Sequence, residues 1–431
     1  MMRFLRIRLI YITAICLIVL AGCRTKHAEP SAPETPPPTS ANHAAPNPQP
    51  VDREPPKPAA QEPPESVDPT AELVAQMSMT EKIGQMVLIG VDGTAMKPEI
   101  STFIKERRVG GIILYSHNIV SATQTTELVN GLKQSNREAG ARLPLLLSAD
   151  QEGGRVSRLP KEIAAFPASM TIGSTNDTKY AYQVGSALGE AIKSVGLNTD
   201  YAPVLDVNTN PDNPVIGDRS FGNTSKTVRS MGVQEMLGMK SHEVIPVVKH
   251  FPGHGDTSVD SHKGLPVVDH DLQRLRSIEF EPFASAIKEG APAVMVAHIL
   301  MNKLDPDTPA SMSRIVIQNF LRDELKFNGV VITDDMTMEA IGKTMPIGPA
   351  SVQAVLAGAD IVLVGHNPKQ QNDVLDALSA AAESGEIPQP VIDASVYRIV
   401  KLKQSFRLSD QPTPPADMSE LNKHIQEALK R

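Results

Sequence analysis

The chain has 431 residues, of which 21% are charged, and carries a formal net charge of −7. Such a length allows two ordinary domains, or one large α/β barrel with additional segments. The acidic balance and the lack of a basic run argue against nucleic acid as a partner.

The N-terminal residues have the pattern of a bacterial secretory signal. Three arginines precede an apolar run over residues 9–20, which is too short to span a membrane comfortably. The run leads into Leu20 to Cys23 (LAGC), which resembles a lipobox. We therefore predict a signal peptide over residues 1–22 and lipidation of Cys23, which would anchor the protein to a membrane of the cell envelope, outside the cytoplasm. An ordinary signal peptide with an incidental cysteine is the alternative.

A proline-rich segment follows the signal over residues 23–69. Runs such as Pro36–Pro38 and Pro63–Pro64 stand among alanine, serine and glutamate. This composition lacks the apolar surface to fold and prefers extended, polyproline-like states. We predict a disordered tether that holds a globular domain away from a membrane. A spacer without a selected length is the alternative.

Folding signals begin near Ala71, and residues 78–81 (SMTE) fit a capping box that starts a helix. After it, short apolar strands alternate with longer amphipathic helices. The predicted strands are Met86–Val91, Gly111–Tyr115, Leu143–Ala149, Thr199–Val207, Val244–His250, Ala293–Ala297, Val330–Thr333 and Ile361–Gly365. The predicted helices include Thr123–Glu138, Lys179–Ser194, Thr227–Glu243, Leu272–Glu289 and Ile315–Lys326. This alternation favours an α/β fold, a (β/α)8 TIM barrel over a doubly wound sheet, as a single catalytic domain over residues 70–405 with a tail over residues 406–431.

A barrel of this type collects its functional side chains after the strands, at the catalytic face. One polar residue after a strand is usually a helix cap, but here polar residues follow six of the strands. They are Asp150, Asp206, Lys249, His250, His298, Asp334, Asp335 and His366. This distribution predicts a site at the carboxyl ends of the strands.

The segment after the fifth strand concentrates titratable groups. His250, His254 and His262 with Asp260 supply ligand types that suit zinc. Lys249 would place a cation beside such a metal, and no HExxH pair is present, so we favour acid–base chemistry without a metal. In an extended loop, Asp260 and His262 point the same way. The carboxylate would then orient the imidazole and favour its protonated form, as a proton donor needs.

Two other motifs supply charged groups. Asp150 to Arg158 combines acceptors and donors with two glycines that allow close backbone approach to a ligand. Paired sugar hydroxyls fit this set, whereas the phosphate-binding glycine motifs are missing. After the seventh strand, Asp334 and Asp335 allow one nucleophile or cation ligand and one helix cap, and alternation does not say which is which. Arg219 lies in a turn-rich segment, where a structural Arg–Asp pair is the alternative.

Together these motifs resemble family 3 glycoside hydrolases, specifically the bacterial β-N-acetylglucosaminidases. The matching segments occur in family order across residues 70–400. They are Asp150–Val156, Asp218–Phe221, Lys249–Gly255, Asp260–His262 and Thr333–Met336. The resemblance implies that Asp334 is the nucleophile and that His262, paired with Asp260, is the acid/base. It further implies that Asp150, Arg158, Arg219, Lys249 and His250 hold the terminal sugar. The related β-glucosidases take an acid/base glutamate from a second domain, for which too few residues follow the barrel.

The expected activity is retaining hydrolysis of a terminal β-linked N-acetylglucosamine without a cofactor, by a monomer. Peptidoglycan fragments are the expected substrates at the cell envelope, and chitin oligosaccharides are a second class. Phosphorolysis is an alternative, because a neutral histidine does not repel phosphate as a carboxylate does. A non-catalytic wall-binding lipoprotein on a degenerate barrel is another, but it would require a broken catalytic set.

Overall fold

The computed structural model describes residues 68–261 and 264–430, and its centre is a sheet of eight parallel strands. In chain order they are β1 (Val87–Gly90), β2 (Gly111–Leu114), β3 (Leu146–Ala149), β4 (Thr199–Asp200), β5 (Ile245–Phe251), β6 (Ala293–Val296), β7 (Val330–Thr333) and β8 (Val362–Val364). Each strand pairs with the next from β1 to β7, and β8 pairs with β1. A bridge between Ile332 and Ile361 joins the strand ends of β7 and β8. The sheet thus closes, which confirms the predicted (β/α)8 barrel.

The strands form because short apolar runs are buried on both faces, as in parallel sheets covered by helices. Every residue of β1, β2, β3, β6 and β7 is buried. β4 is shorter than the predicted Thr199–Val207: regular pairing stops after Asp200 and returns as a bridge from Val204 to Lys249. Pro203 lies between them, and its lack of an N–H removes a donor from the ladder.

Helices surround the barrel. The α-helices are Pro69–Ala75, Met79–Gln85, Pro98–Lys105, Ala122–Glu138, Ser169–Thr175, Thr178–Ser194, Ser225–Lys240, Leu272–Ser277, Phe280–Lys288, Glu339–Gly342, Ile347–Ala357, Pro368–Ser384, Gln389–Ser405 and Met418–Ala428. A π-helix covers Ile315–Glu324, and 3₁₀ turns cover Ser116–Asn118, Gly217–Arg219 and Ala310–Met312. The predicted capping box is confirmed: Ser78 Oγ accepts from the Glu81 N–H at 3.2 Å, and Glu81 Oε2 accepts from the Ser78 N–H at 2.8 Å.

One predicted helix, Leu272–Glu289, is two helices in the structure. The first ends at Ser277 and the second begins at Phe280. Pro282 is the physical reason, because a proline inside one continuous helix would remove a backbone hydrogen bond and clash with the preceding turn. In the first turn of a new helix its missing N–H has no such cost.

The amino-terminal end of the barrel is closed by a buried lysine from the helix Gln389–Ser405. Lys403 Nζ donates to Gln85 Oε1 at 2.6 Å, to the Gly110 carbonyl at 2.8 Å and to the Pro144 carbonyl at 2.7 Å. These acceptors precede β1, β2 and β3, so one side chain joins three strand starts to the helix Gln389–Ser405. The last helix, Met418–Ala428, packs on Thr178–Ser194.

None of the helices in residues 68–261 and 264–430 is both long and apolar enough to cross a membrane. The predicted signal peptide, Cys23 and most of the predicted tether precede residue 68 and so lie outside the described residues.

Candidate active site

A cavity of about 370 Å³ opens at the carboxyl ends of the strands. All five predicted sugar-binding residues and the predicted nucleophile line it. These are Asp150, Arg158, Arg219, Lys249, His250 and Asp334. Glu152, His254, Ser261, Asp335 and residues 337–339 line it too, as do Tyr115 and His366. The barrel thus brings together side chains from β2, β3, β5, β7 and β8 that are far apart in sequence.

Lys249 lies near the end of β5 and is buried. Its ammonium group is 2.6 Å from Asp150 Oδ1 and 2.7 Å from Glu152 Oε1. Burial lowers the pKa of Lys249, but the two carboxylates outweigh burial and raise it. The lysine is therefore charged at neutral pH and holds Asp150, which is partly exposed, against one wall of the pocket.

Arg219 makes a two-pronged contact with the same glutamate. Its Nε and Nη2 donate to the two Glu152 oxygens at 2.8 and 2.7 Å. Burial alone would raise the pKa of Glu152, but Lys249 and Arg219 outweigh burial and hold that pKa well below its usual value. A buried carboxylate between two cations stays ionised and keeps both of them oriented. The alternative for Arg219 was a structural Arg–Asp pair. In the structure Arg219 instead pairs with Glu152, which also contacts Lys249.

Asp206 positions His250, near the end of β5, and His254, which follows the strand. Its Oδ2 lies 2.7 Å from His250 Nδ1, and its Oδ1 accepts from the His254 backbone N–H at 2.6 Å. Burial raises the pKa of Asp206, but His250 outweighs burial, and the net pKa is lowered. The Nε2 atom of His250 lies 3.4 Å from Arg219 Nη2. The imidazole is therefore held between a carboxylate and a guanidinium at the pocket wall.

His254 lines the pocket in a single neutral tautomer. Thr257 Oγ1 donates to the His254 carbonyl at 3.0 Å, so it must accept from His254 Nδ1, which lies 2.6 Å away. Its Nε2 is buried and has no hydrogen-bond partner among residues 68–261 and 264–430. Burial, reinforced by the nearby His250, lowers the pKa of His254 to about 4.

Asp334 follows β7 and is partly exposed to the pocket. Its backbone N–H donates to the Val296 carbonyl at 2.9 Å, which ties it to β6, and its Oδ1 accepts from the Asp335 N–H at 2.8 Å. Burial would raise the pKa of Asp334, but its interactions with His298, His250, the Asp335 backbone N–H and Lys249 outweigh burial and lower the pKa. An ionised carboxylate at this place has the charge state that a nucleophile needs.

Asp335 has a different environment. Its Oδ1 accepts from the Thr337 N–H at 3.0 Å, from Thr337 Oγ1 at 2.8 Å and from the Gly365 N–H at 2.9 Å. Its Oδ2 accepts from the Tyr115 hydroxyl at 3.1 Å. A Cβ at Gly365 would lie 1.9 Å from that hydroxyl, so only glycine fits here. Asp335 therefore ties together the ends of β2, β7 and β8.

The predicted acid/base pair is described only in part. Asp260 is partly exposed, its carbonyl accepts from the Gly264 N–H at 3.1 Å, and it is not among the residues that line the cavity. His262 lies outside the described residues. Its neighbour Ser261 is buried and lines the cavity, and the Ser261 carbonyl accepts from the Ala340 N–H at 3.3 Å. The role of His262 stays a prediction.

Arg158 reaches the pocket from the loop after β3. Gln151 Oε1 accepts from the backbone N–H groups of Arg158 and Leu159 at 2.8 and 3.0 Å.

Within residues 68–261 and 264–430, no group of three or more histidine, cysteine or acidic side chains is arranged to hold a metal ion. Of the histidines considered for zinc, His250 bonds to Asp206 and His254 to Thr257.

Some pocket residues have no role assigned from sequence. Glu152 stands inside a motif, and its signal is Lys249, because a lysine inside an apolar strand requires a buried counter-ion. Tyr115 lies in a predicted strand, and its signal is its position at the strand end. Nothing in the sequence indicates that His254 is neutral, because its burial is a tertiary property.

The model of the glycosyl hydrolase family 3 N-terminal domain matches residues 78–402. The chain belongs to glycosyl hydrolase family 3. This confirms the family resemblance seen in the motifs and shows that the chain is a glycoside hydrolase. The match begins at the capping-box serine and ends in the helix Gln389–Ser405, so it covers the complete barrel.

Named relatives of this family 3 chain span much of its length. β-Hexosaminidase A of Pseudoalteromonas piscicida is 36% identical over 332 residues, 72% of this chain but only 56% of that protein. β-Hexosaminidase LpqI of Mycobacterium tuberculosis is 34% identical over 347 residues, 79% of this chain and 86% of that protein. A solved family 3 β-N-acetylglucosaminidase from Paenibacillus sp. superposes with a TM-score of 0.77 at 40% identity, covering 82% of this chain and 68% of the other.

Proposed function

We propose that this glycoside hydrolase is a retaining exo-β-N-acetylglucosaminidase that removes terminal β-linked N-acetylglucosamine. The observation that carries the proposal is the position of Asp334, an ionised carboxylate in the same cavity as Asp150, Lys249 and Arg219. The names of the relatives, β-hexosaminidase and β-N-acetylglucosaminidase, support the choice of sugar.

In the proposed first step, Asp334 attacks the anomeric carbon of the terminal sugar while His262 protonates the departing oxygen. The carbon–oxygen bond breaks, and a covalent glycosyl–Asp334 ester forms. In the second step His262 removes a proton from water, which attacks the same carbon. The ester bond to Asp334 breaks, the carboxylate is regenerated, and the sugar leaves with its original configuration. Asp260 would orient His262. The Lys249–Asp150–Glu152–Arg219 network holds its charges fixed before the sugar arrives, so little reorganisation is needed.

We also propose that the enzyme is anchored through Cys23 at the cell envelope and acts there on peptidoglycan fragments, as a monomer. The LAGC sequence and the proline-rich segment after it support the anchor. An envelope enzyme meets N-acetylglucosamine in β-linkage to N-acetylmuramic species, and chitin oligosaccharides are the second candidate class.

The test is turnover of a chromogenic β-N-acetylglucosaminide by residues 68–431, compared with the corresponding β-glucoside. We expect release of the chromophore from the first substrate with Asp334→Ala as the inactive control. Proton NMR of early product should show the β-anomer first, and an α-anomer as first product would contradict retention.

Added phosphate distinguishes the alternatives. Free N-acetylglucosamine as the product with and without phosphate supports hydrolysis, whereas a sugar phosphate would establish phosphorolysis. No turnover by the wild-type protein, with intact binding of cell-wall fragments, would favour the non-catalytic alternative.

A further inference from the structure

Three rings cluster at the mouth of the pocket and take no part in the proposed chemistry. Tyr115 follows β2, His366 follows β8, and both line the cavity. Their rings stack with centroids 4.5 Å apart, and the Tyr115 and His117 rings lie 6.0 Å apart with planes only 8° from parallel. His117 is exposed and is not a lining residue. The ring cluster therefore continues from the pocket wall to the outer surface.

Hydrogen bonds within the chain hold the ring cluster in place. Asn118 is buried, and its Nδ2 donates to the Val91 and Gly93 carbonyls at 2.8 Å. Its Oδ1 accepts from the Tyr115 N–H at 2.9 Å, while the Tyr115 hydroxyl bonds to Asp335. The turn that carries His117 is thus fixed at both ends. A surface that is already ordered loses less entropy when it binds a ligand.

Two of the three rings, His117 and His366, are exposed to solvent. The His366 side chain is 54% exposed. The His117 side chain makes no hydrogen bond or ion pair to any other residue in the described segments 68–261 and 264–430. Its ring lies beside the rings of Tyr115 and His366. A pyranose ring has an apolar face of C–H groups and polar edges, and it can lie on such a surface while its hydroxyls stay in water. The charged wall deeper in the pocket suits the terminal sugar, which leaves the ring cluster for the next sugar.

We propose that Tyr115, His117 and His366 form a leaving-group subsite that binds the second sugar of a β-linked N-acetylglucosaminyl saccharide by ring stacking. The inference rests on the proposed function and names its substrate class: the enzyme prefers a saccharide leaving group over a simple alkyl one.

The test compares two substrates with equally poor leaving groups. N,N′-Diacetylchitobiose has a second sugar, and methyl β-N-acetylglucosaminide has none. His117→Ala should lower kcat/KM for the disaccharide about threefold to tenfold, as expected for one lost ring contact, and leave the methyl glycoside unchanged. His117→Phe, which keeps a flat ring, should restore the value. Val120→Ala is the matched control, because Val120 is 67% exposed on the same loop but carries no ring.

An unchanged substrate ratio in His117→Ala, or an equal loss on both substrates, would overturn the subsite. A wild-type protein that turns over neither substrate would instead contradict the proposed function. Calorimetry in an Asp334→Asn background then tests the subsite without turnover. His117→Ala should weaken chitobiose binding about threefold to tenfold and leave N-acetylglucosamine binding unchanged, whereas equal affinities with and without the His117 ring would reject the proposal.

Discussion

Asp334 and Asp335 are neighbours in the chain, yet their side chains have different surroundings. Asp334 faces the cavity and bonds to one backbone N–H, while Asp335 accepts hydrogen bonds from Thr337, Gly365 and Tyr115. The alternation of the strand could not separate the two residues. Their hydrogen bonds separate them, because both Asp335 oxygens already accept hydrogen bonds from other residues of the chain.

We expect Asp334→Ala to lower kcat by about 10³-fold or more with little effect on folding. Asp335→Ala should lower the free energy of unfolding by about 2–4 kcal/mol, because it leaves buried donors unpaired. Urea unfolding and turnover of both variants check this. A slow fluorosugar substrate should label Asp334, and labelling of Asp335 would reverse the assignment.

The predicted acid/base role of His262 is tested by leaving-group dependence. His262→Ala should be severe for saccharide substrates, whose leaving oxygen needs a proton, and much milder for activated aryl glycosides. Asp260→Asn should weaken catalysis through orientation and proton affinity while the donor remains. Equal losses of kcat/KM on both substrate classes in His262→Ala would mean that the histidine is not the general acid.

His254 should make the protein sensitive to acid. Its pKa in the folded state is about 4, below the value of 6.5 for a free histidine. The neutral ring therefore contributes stability that is present above about pH 6.5 and is lost as the pH falls towards 4. We expect His254→Gln to reduce the loss of unfolding free energy between about pH 7 and 4.5 by about 2–3 kcal/mol. Parallel pH profiles for the two proteins would contradict this.

At the scale of elements, Asp360 connects the barrel to its outer helices. This buried carboxylate accepts from Arg322 Nη2 at 2.6 Å, from Arg398 Nε at 2.9 Å and from the Val331 N–H at 2.8 Å. Arg322 comes from the π-helix, Arg398 from the helix Gln389–Ser405, and Val331 from β7. One side chain therefore fixes two helices relative to the sheet.

We expect Asp360→Asn to lower the free energy of unfolding by about 3–5 kcal/mol, because it leaves the buried charge of Arg322 uncompensated. Asp376→Asn is the matched control. Asp376 also pairs with an arginine, Arg107, but its side chain is 67% exposed, so its loss should change stability by at most about 1 kcal/mol. Similar unfolding curves for the two variants would show that the Asp360 cluster is not a structural link.

At the scale of the whole molecule, the barrel and the membrane anchor are separable in our proposal. We expect Cys23→Ser to move the protein from the membrane fraction to the soluble fraction without changing kcat/KM on a soluble substrate, because the described residues that line the cavity all belong to the barrel domain. Fractionation with immunoblotting and mass spectrometry of the native N-terminus measure this. A native protein without lipid on Cys23 would rule out the anchor.

The sequence by itself determined the fold and most of the pocket. Eight apolar runs of strand length alternate with helical patterns, and local chemistry such as the Ser78–Glu81 box acts within a few residues. Because a parallel barrel places every strand end on one face, polar residues after the strands had to converge there. Asp150, Lys249 and Asp334 could be assigned to a common site for this reason.

Only the tertiary structure decided how those side chains pair. Glu152 serves both Arg219, 67 positions away in the chain, and Lys249. The neutral state of His254 depends on burial, and the ring cluster depends on β1 lying between β8 and β2 in the sheet. Such properties depend on how close groups that are remote in sequence come to one another, and on how far the fold removes them from water. Local propensity and periodicity describe neighbours within a few residues and contain no such information.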